Sequence, residues 1–276
     1  MLAPRRRFAV AAGIILILLS PPRGVGGRSP NNPARSPCDI HYPSDDRIEW
    51  ECHRLQAGES LETLFGKRWR DGARFNRIDR RHVRAGVALK IPVRIEEVVD
   101  FTPMPATDPT AAGKARFIRL DLSEQFLGAY EYGRRVFSAP VTSGERQAAT
   151  PTGSFRITAA FRRHQSSLYT VQETNQPYPM DFALRFHVDR AGVAYYIHGR
   201  DLPGRPVSHG CIGLYDEAMQ RRVYGRPRQP VLDDARKLYE WVIASRPDTG
   251  RFDPLTDGPE LLIVGEPPGS ETTEPQ

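Results

Sequence analysis

Residues 195–215 read Y-Y-I-H-G-R-D-L-P-G-R-P-V-S-H-G-C-I-G-L-Y, and they contain the main candidate functional residues of the chain. This segment brings His198, Ser208, His209 and Cys211 together among glycines. Glycine beside a cysteine lets a substrate carbonyl approach the backbone closely, so that main-chain N–H groups can point at the carbonyl oxygen. The pattern predicts a site at which Cys211 attacks an acyl carbon.

Two imidazoles are close enough in sequence to activate this thiol. A free cysteine has a pKa of about 8.5, so little of it is thiolate at neutral pH, and a neighbouring imidazole is the usual activator. His198 follows the apolar, aromatic run 193–197, which is typical of a strand, so the fold would direct its ring. His209 is only two residues from Cys211, too close to assume that it reaches the sulfur in line. We therefore predict His198 as the general base and His209 as a helper that lines the site.

The I-H-G and S-H-G-C motifs resemble the signature of the YkuD-type L,D-transpeptidases, an H-G followed after a variable loop by [ST]-H-G-C and an apolar residue. The blocks D-L-S-E-Q-F-L-G-A-Y and A-T-P-T-G-S-F-R-I are also similar to that family, and the resemblance covers roughly residues 115–264. It implies that Cys211 is the nucleophile, His198 the base and the Gly199 carbonyl the group that orients the imidazole. It further implies an oxyanion hole made by the amides of Gly210 and Cys211, with no cofactor.

Two features depart from the family pattern. The spacing from His198 to Cys211 is 13 residues (211 − 198), at the short end of what the family leads us to expect, and Pro203 and Pro206 stiffen the loop. Position 213 is a glycine where the family usually carries Arg or Asn. Losing that side chain removes a possible substrate contact, so the resemblance defines the reaction class better than the substrate preference.

Three further residues are candidate substrate-binding residues. Ser208 belongs to the signature itself, while Tyr178 and Met180 lie at the end of a polar stretch, 169–179, that lacks clear periodicity and carries two prolines. We interpret this stretch as a lid or substrate-binding loop. Aromatic and large apolar residues in such a place are also typical of a core, so for Tyr178 and Met180 a packing role stays open.

A zinc site is the main chemical alternative for the Cys-His cluster. Structural zinc normally needs four ligands at recognisable spacing, and no second cysteine pair accompanies Cys211, so we predict no metal site. A buried, purely structural Cys211 is the other alternative. We interpret the remaining histidines as ordinary surface or packing residues: His41, His53, His82, His164 and His187.

Composition and charge narrow the function classes. The 276 residues suffice for one medium domain and one small one, the 39% hydrophobic content supports a core, and 25 prolines and 23 glycines indicate many turns and linkers. The net charge of +6 favours polyanionic partners such as nucleic acid, anionic lipid or cell wall. Because the arginines are scattered rather than clustered, we expect no nucleic-acid binding.

The beginning of the chain has the pattern of an export signal. Residues 1–27 contain three consecutive arginines at 5–7, an apolar core over 8–19, and a stretch of small residues and prolines over 20–27. Twelve apolar residues are too few to span a bilayer comfortably. Export with cleavage is the preferred interpretation and an uncleaved anchor the alternative, so we expect a periplasmic or cell-envelope protein without a stable membrane span.

Cysteine usage agrees with export. The exported chain would contain Cys38, Cys52 and Cys211, an odd number in an oxidising compartment. Cys38 and Cys52 flank a short loop and can pair, which leaves Cys211 as the single free thiol. A lone thiol in such a compartment is explained more easily by chemistry than by packing.

The domain order follows from these segments. After the signal we expect a leader with a disulfide loop (28–52), a small module (53–96), a linker (97–114), the catalytic domain (115–265) and a disordered tail (266–276). The small module resembles LysM, a βααβ unit that binds glycans containing N-acetylglucosamine, and a generic small α/β cap is the alternative. The fold class is thus a mainly β, sandwich-like catalytic domain with a few helices, preceded by a small α/β module.

The resemblance implies an exported cysteine acyltransferase that acts on peptidoglycan, with its tetrapeptide stems and glycan strands as partners. Transfer to an amine would form 3-3 crosslinks or attach a lipoprotein to the wall. Transfer to water would make the same site an L,D-carboxypeptidase or crosslink hydrolase. A non-catalytic peptidoglycan-binding protein, favoured only by Gly213, and a metal-dependent peptidase are the alternatives from other classes.

Overall fold

The computed structural model describes residues 36–244, 250 and 252–268. The expected signal peptide (1–27), the leader up to residue 35 and the tail from residue 269 lie outside the described residues. Within the described part, no helix is both long enough and apolar enough to cross a membrane.

The small module has the order strand, helix, helix, strand. Its elements are β1 (Trp50–Arg54), α1 (Leu61–Phe65), α2 (Trp69–Phe75) and β2 (Ala88–Pro92). The two strands pair antiparallel, and Ser60 caps α1 by accepting a hydrogen bond from the Thr63 N–H. This order is the one expected from the sequence, whereas the kinship to LysM and glycan binding stay predictions.

A disulfide fastens the leader to this module. Cys38 is bonded to Cys52 of β1, and two short 3-10 turns, Pro37–Asp39 and Pro43–Arg47, lead into the strand. The linker predicted over 97–114 is not a free connection: its 3-10 turns are Ile95–Val98 and Pro109–Ala111. Buried apolar side chains of this segment, Val98, Phe101, Met104 and Ala111, pack against their neighbours.

The second part of the chain is mainly β. Its elements are β3 (Phe117–Asp121), β4 (Phe126–Glu131), β5 (Arg134–Pro140), β6 (Gly153–Arg156), β7 (Ala159–Phe161), β8 (Gln165–Thr170), β9 (Pro177–Pro179), β10 (Ala183–Val188), β11 (Ala194–Arg200), β12 (Ile212–Tyr215), α3 (Glu217–Tyr224), α4 (Asp234–Ile243), β13 (Asp253–Pro254) and β14 (Glu260–Val264). Short 3-10 turns also occur at Gly66–Arg68 and Arg146–Ala148. The predicted fold class of this part, mainly β with a few helices, is confirmed.

Two five-stranded sheets enclose the main core. One has the order β5-β4-β3-β14-β6 and the other the order β12-β11-β10-β7-β13, while β8 and β9 form a separate hairpin. Alternating residues of both sheets, such as Ile118, Leu120, Ile197 and Ile212, are buried in one cluster with the apolar face of α4. The sheet containing β11 and β12 is the one that carries the signature motif.

Helix α4 follows the apolar pattern of its sequence. Ala235, Leu238 and Val242 are buried, and Trp241 packs against the same cluster. Asp233 occupies the N-cap position, but its carboxylate pairs with Lys237 (2.7 Å) and Arg236 instead of capping the helix backbone.

Candidate active site

The register of β11 and β12 determines where the two predicted catalytic side chains lie. The strands are parallel, with Ile197 opposite Ile212 and His198 opposite Gly213. Ile197 and Ile212 point into the core, and side chains alternate between the faces of a strand. Cys211, directly before Ile212, and His198, directly after Ile197, therefore project from the same face of the sheet, away from the core.

Cys211 is a free cysteine and is partly buried. It packs beside Met180, Ala183 and Tyr196, with Tyr178 in the same cluster. Burial raises the pKa of the thiol, while a hydrogen bond from the Tyr196 backbone and the charge of a nearby arginine act in the opposite direction. The net shift of the thiol pKa is upward, so the resting thiol is neutral and needs a base.

His198 is only 2% exposed and is held in one tautomer. Its Nδ1 lies 2.8 Å from the Gly199 carbonyl oxygen. A carbonyl can only accept, so Nδ1 carries the proton and Nε2 keeps its lone pair. Burial, assisted by the charge of Arg200, lowers the pKa of His198 to about 3. The imidazole is therefore neutral at physiological pH and able to accept a proton at Nε2.

The turn before the cysteine is held by Ser208. This side chain is fully buried, accepts a hydrogen bond from the Gly210 N–H (3.0 Å) and donates one to the Cys211 carbonyl. Ser208 therefore has a structural role within the turn, and its contact with substrate stays a prediction. The Gly210 amide is also occupied, so of the two amides predicted to form the oxyanion hole, the Cys211 amide is the remaining candidate.

Gly210 is required for this turn. Its φ is +110°, and an added Cβ would lie 2.5 Å from Cε1 of Tyr195. Thr150, from the T-P-T-G block, donates to the Gly210 carbonyl (3.0 Å) and so fixes the turn from the other side. Residues of two separated blocks of the sequence therefore place the cysteine together.

His209 lies on the outside of the site. It is exposed, and its ring stacks on Tyr169 of β8, with ring centroids 4.3 Å apart and planes 21° from parallel. The stretch interpreted as a lid is a hairpin of β8 and β9, and Leu168 and Tyr169 on β8 are 62% and 44% exposed. His209 thus joins the site to this hairpin.

Tyr178 and Met180 lie at the base of the hairpin and are largely buried. The Tyr178 hydroxyl donates to Asp201 (2.6 Å), and its ring is edge-on to His198 with centroids 6.4 Å apart. Met180 is 6% exposed and packs as a core residue beside Cys211. These residues pack beside Cys211 and His198, and their contact with substrate stays a prediction.

A cavity of about 750 Å³ opens under the hairpin. Its lining includes His164, Gln165, Thr174, Pro179, Asp181 and Arg222. Arg222 is paired with Asp181 (2.7 Å), whose backbone carbonyl accepts the Gly199 N–H (2.7 Å). Asp181 of the cavity lining is therefore hydrogen-bonded to Gly199, whose carbonyl orients His198.

Sequence reasoning missed a polar cluster beside the site. Asp201 accepts from Tyr178 and lies 3.3 Å from Arg81 and 3.4 Å from His82 of the N-terminal part. Burial acts to raise the pKa of Asp201, but the charge of Arg200 and these neighbours holds it below its ordinary value. His82 is thus more than an ordinary surface residue, and the adjacent R-D after I-H-G was the available signal.

Potential metal ligands do not gather around Cys211. Among the residues that the structure describes, no group of three or more His, Cys, Asp or Glu side chains is arranged to hold a metal ion.

Comparison with known proteins gives a family match over the part of the chain that contains the site. Residues 115–249 match the family model of the YkuD L,D-transpeptidase catalytic domain. The chain matches none of the curated proteins.

Several solved structures are similar to the chain. They include the L,D-transpeptidase from Stackebrandtia nassauensis, with 24% identity, 58% of this chain and 60% of that chain covered, and a TM-score of 0.38. Mycobacterium tuberculosis L,D-transpeptidase 1 has 19% identity, coverages of 55% and 62%, and a TM-score of 0.36. The L,D-transpeptidase of Xylanimonas cellulosilytica (residues 123–326) has 19% identity, coverages of 78% and 98%, and a TM-score of 0.42. The chain thus spans about 60% of the length of the first two.

The family match contains every catalytic residue inferred from the signature, from His198 to Cys211. This match of residues 115–249 to the YkuD L,D-transpeptidase catalytic domain supports an L,D-transpeptidase enzyme.

Proposed function

We propose that the chain is an exported cysteine acyltransferase that performs L,D-transpeptidation on peptidoglycan stem peptides. The observation that carries the proposal is the arrangement on β11 and β12: His198 and Cys211 share one face, and the Gly199 carbonyl fixes the proton on Nδ1 of His198. A neutral, correctly protonated base on the same face of the sheet as a lone thiol is the arrangement that nucleophilic acyl transfer requires.

The first half-reaction forms a thioester. The Cys211 thiol gives its proton to Nε2 of His198, and the sulfur attacks the carbonyl carbon between the third and fourth residues of a tetrapeptide stem. The Cys211 amide stabilises the resulting oxyanion. When the tetrahedral intermediate collapses, His198 returns the proton to the leaving amine, D-alanine departs and the acyl group remains on sulfur. The low pKa of His198 makes its imidazolium a strong acid for this step.

The second half-reaction transfers the acyl group. An amine from a neighbouring stem, such as the side chain of diaminopimelate, attacks the thioester carbonyl and loses a proton to His198 as the C–S bond breaks. The products are a 3-3 crosslink and the free thiol, and a lipoprotein amine in the same place would be attached to the wall. Water as the acceptor would give the carboxypeptidase or hydrolase reaction.

The hairpin supports an amine as the preferred acceptor. It covers the site from β8 to β9, and its Tyr169 is stacked on His209 directly before the cysteine turn. A covered thioester is protected from bulk water, which favours transfer over hydrolysis.

Export and wall binding belong to the same proposal. The Cys38–Cys52 disulfide supports this proposal, because disulfides persist in oxidising compartments such as the periplasm or cell envelope. The βααβ module would bind glycan strands as LysM does, holding the catalytic domain near its substrate. The net charge of +6 is compatible with an acidic polymer as partner.

Muropeptide analysis tests the reaction. Purified mature chain is incubated with tetrapeptide monomers, and the products are separated by mass. Crosslinked dimers with loss of D-alanine support transpeptidation, tripeptides alone support the hydrolytic alternative, and unchanged monomers with a correctly folded protein contradict the enzymatic proposal. Cys211→Ala is the matched control and should give unchanged monomers.

A further inference from the structure

The space beside Gly213 is too small for a side chain. Gly213 lies on β12 directly opposite His198, on the face of the sheet that carries the site. A Cβ at this position would lie 2.8 Å from Cβ and from Cδ of Arg200, and 2.8 Å from Cγ2 of Thr142. Real Cβ atoms essentially never come so close, so the space that a side chain at 213 needs is already filled by Arg200 and Thr142.

Arg200 reaches this space from the end of β11. It is opposite Tyr215 in the register and on the same face as His198 and Gly213, because it follows His198 by two residues. Its stem passes over Gly213, two residues from Cys211, and its guanidinium carbon lies 5.5 Å from the centre of the Tyr178 ring. The side chain thus turns back along the sheet toward the cysteine.

The Arg200 side chain is largely buried, with 17% of its surface exposed, and its guanidinium is only partly satisfied. One terminal nitrogen is 3.5 Å from the Val207 carbonyl, and Nε is 4.0 Å from the Asp201 carboxylate, beyond hydrogen-bond distance. Nε has no hydrogen-bond partner among the described residues. A buried cation with spare hydrogen-bonding capacity is costly unless a negative charge forms close to it. The thiolate of Cys211 is such a charge.

The titratable groups that surround Cys211 leave this cation as the main positive charge at the site. Strand β11 contributes Tyr195, Tyr196, His198 and Arg200, and Asp201 follows it. The others are Tyr178 of the hairpin, His209 of the cysteine turn and His164 before β8. Two of these, His198 and His164, have lowered pKa values and are neutral near pH 7. Asp201 is the nearby negative charge, and it also contacts Arg81 and His82.

We propose that Arg200 is a positioning residue of the Cys211 site: admitted by the missing side chain at position 213, its guanidinium stabilises the negative charge that forms on the Cys211 sulfur as the proton moves to His198. The inference rests on the proposed role of Cys211 as the nucleophile. It also explains the departure at position 213. Where the family usually carries an Arg or Asn side chain on β12, this chain has a glycine, and the polar side chain comes instead from Arg200 on β11.

Alkylation of Cys211 by iodoacetamide tests the inference without any substrate. The two other cysteines are held in a disulfide, so alkylation of the mature chain reports on Cys211 alone. The rate is measured by mass from pH 5 to pH 10. In Arg200→Met the midpoint of the profile should move to higher pH and the rate at pH 7 should fall by about threefold or more. Arg200→Lys should restore most of the rate because it keeps the charge.

Gly213→Ala tests the role of the glycine. The new methyl group must displace Arg200, so the profile should move in the same direction, and combining it with Arg200→Met should add nothing further. Arg228→Met, at an exposed arginine of the same domain, is the matched control and should leave the profile unchanged.

Each outcome is decisive. A profile of folded Arg200→Met that superposes on that of the wild type overturns the inference, and additive effects of the two substitutions overturn the part that concerns Gly213. Should Arg200→Met fail to fold, as seen by circular dichroism, the lysine and Gly213→Ala variants carry the test. A shifted profile without muropeptide turnover would support the role of Arg200 and count against the proposed reaction.

Discussion

At the scale of single residues, the site depends on one imidazole and one sulfur whose protonation states are set by burial. His198 has a pKa of about 3 because its imidazolium would be desolvated, and burial raises the pKa of Cys211 because its thiolate would be. Both shifts favour the neutral pair. The negative charge on sulfur therefore forms only as the proton moves to Nε2, with the cation of Arg200 nearby.

The pH dependence of acylation follows from the lowered pKa of His198. An ordinary histidine base loses activity as the pH falls through about 6.5, whereas His198 stays unprotonated down to about pH 3. We expect the acid limb of kcat/KM for a chromogenic β-lactam or a stem peptide to lie well below pH 6. Measurement of kcat/KM from pH 4 to pH 9 checks this. An acid limb near pH 6.5 would contradict the assignment of His198 as the base.

The cysteine turn gives a second prediction at this scale. Gly210→Ala places a methyl group against the Tyr195 ring and forces a non-glycine residue to a φ of +110°. We expect a loss of stability of about 1–3 kcal/mol and a larger loss of acylation, because the Cys211 amide and thiol move together. Thermal unfolding and carbapenem labelling followed by mass measure the two effects. Gly192→Ala is the control, since that glycine also has a positive φ but has open space around its Cβ.

At the scale of elements, the hairpin of β8 and β9 is the part that can exclude water from the thioester. It contacts the site through the stack of Tyr169 on His209 at its outer end and through Tyr178 and Asp201 at its base. Arg81 also pairs with Glu173 in the turn of the hairpin (3.1 Å), so the N-terminal part helps to hold it. The hairpin is thus fixed at three places.

Loosening the hairpin should change the acceptor rather than the rate of acylation. In Tyr169→Ala the stack on His209 is lost, while Cys211, His198 and the base of the hairpin are untouched. We expect the ratio of tripeptide to crosslinked dimer to rise, by about threefold, because water reaches the thioester more often. The muropeptide assay measures this ratio, with Leu168→Ala, at the exposed neighbouring position, as the control. An unchanged ratio would remove the hairpin from the control of water access.

At the scale of the whole molecule, the N-terminal part and the catalytic domain are locked by buried charges. Arg77, which is 0% exposed, lies 3.3 Å from Glu124 of the catalytic domain and 3.6 Å from Asp45 of the leader. Asp45 is also paired with Lys90 of β2. The module is therefore fastened to the catalytic domain, and any glycan bound there would be held at a fixed position relative to Cys211.

Removing the central cation should unfold both parts together. Arg77→Met leaves the carboxylates of Glu124 and Asp45 without their shared partner, and breaking a buried ion pair in this way typically costs about 3–5 kcal/mol. We expect a large fall in the free energy of unfolding, measured by urea denaturation, with a single transition. Arg84→Met, at an exposed arginine of the same module, should change it little. Two separate transitions in the wild type would contradict the locked arrangement.

The amino-acid sequence determined the chemistry and the mainly β architecture, because both are encoded locally. The I-H-G and S-H-G-C motifs predict the nucleophile and base, and alternating apolar residues and turn glycines encode the strands. Only the tertiary structure decided that Ser208 holds the cysteine turn, that the Gly210 amide is occupied, and that Arg200 fills the space beside Gly213. These outcomes depend on strand register and on contacts between residues far apart in the chain, and no local pattern specifies such contacts.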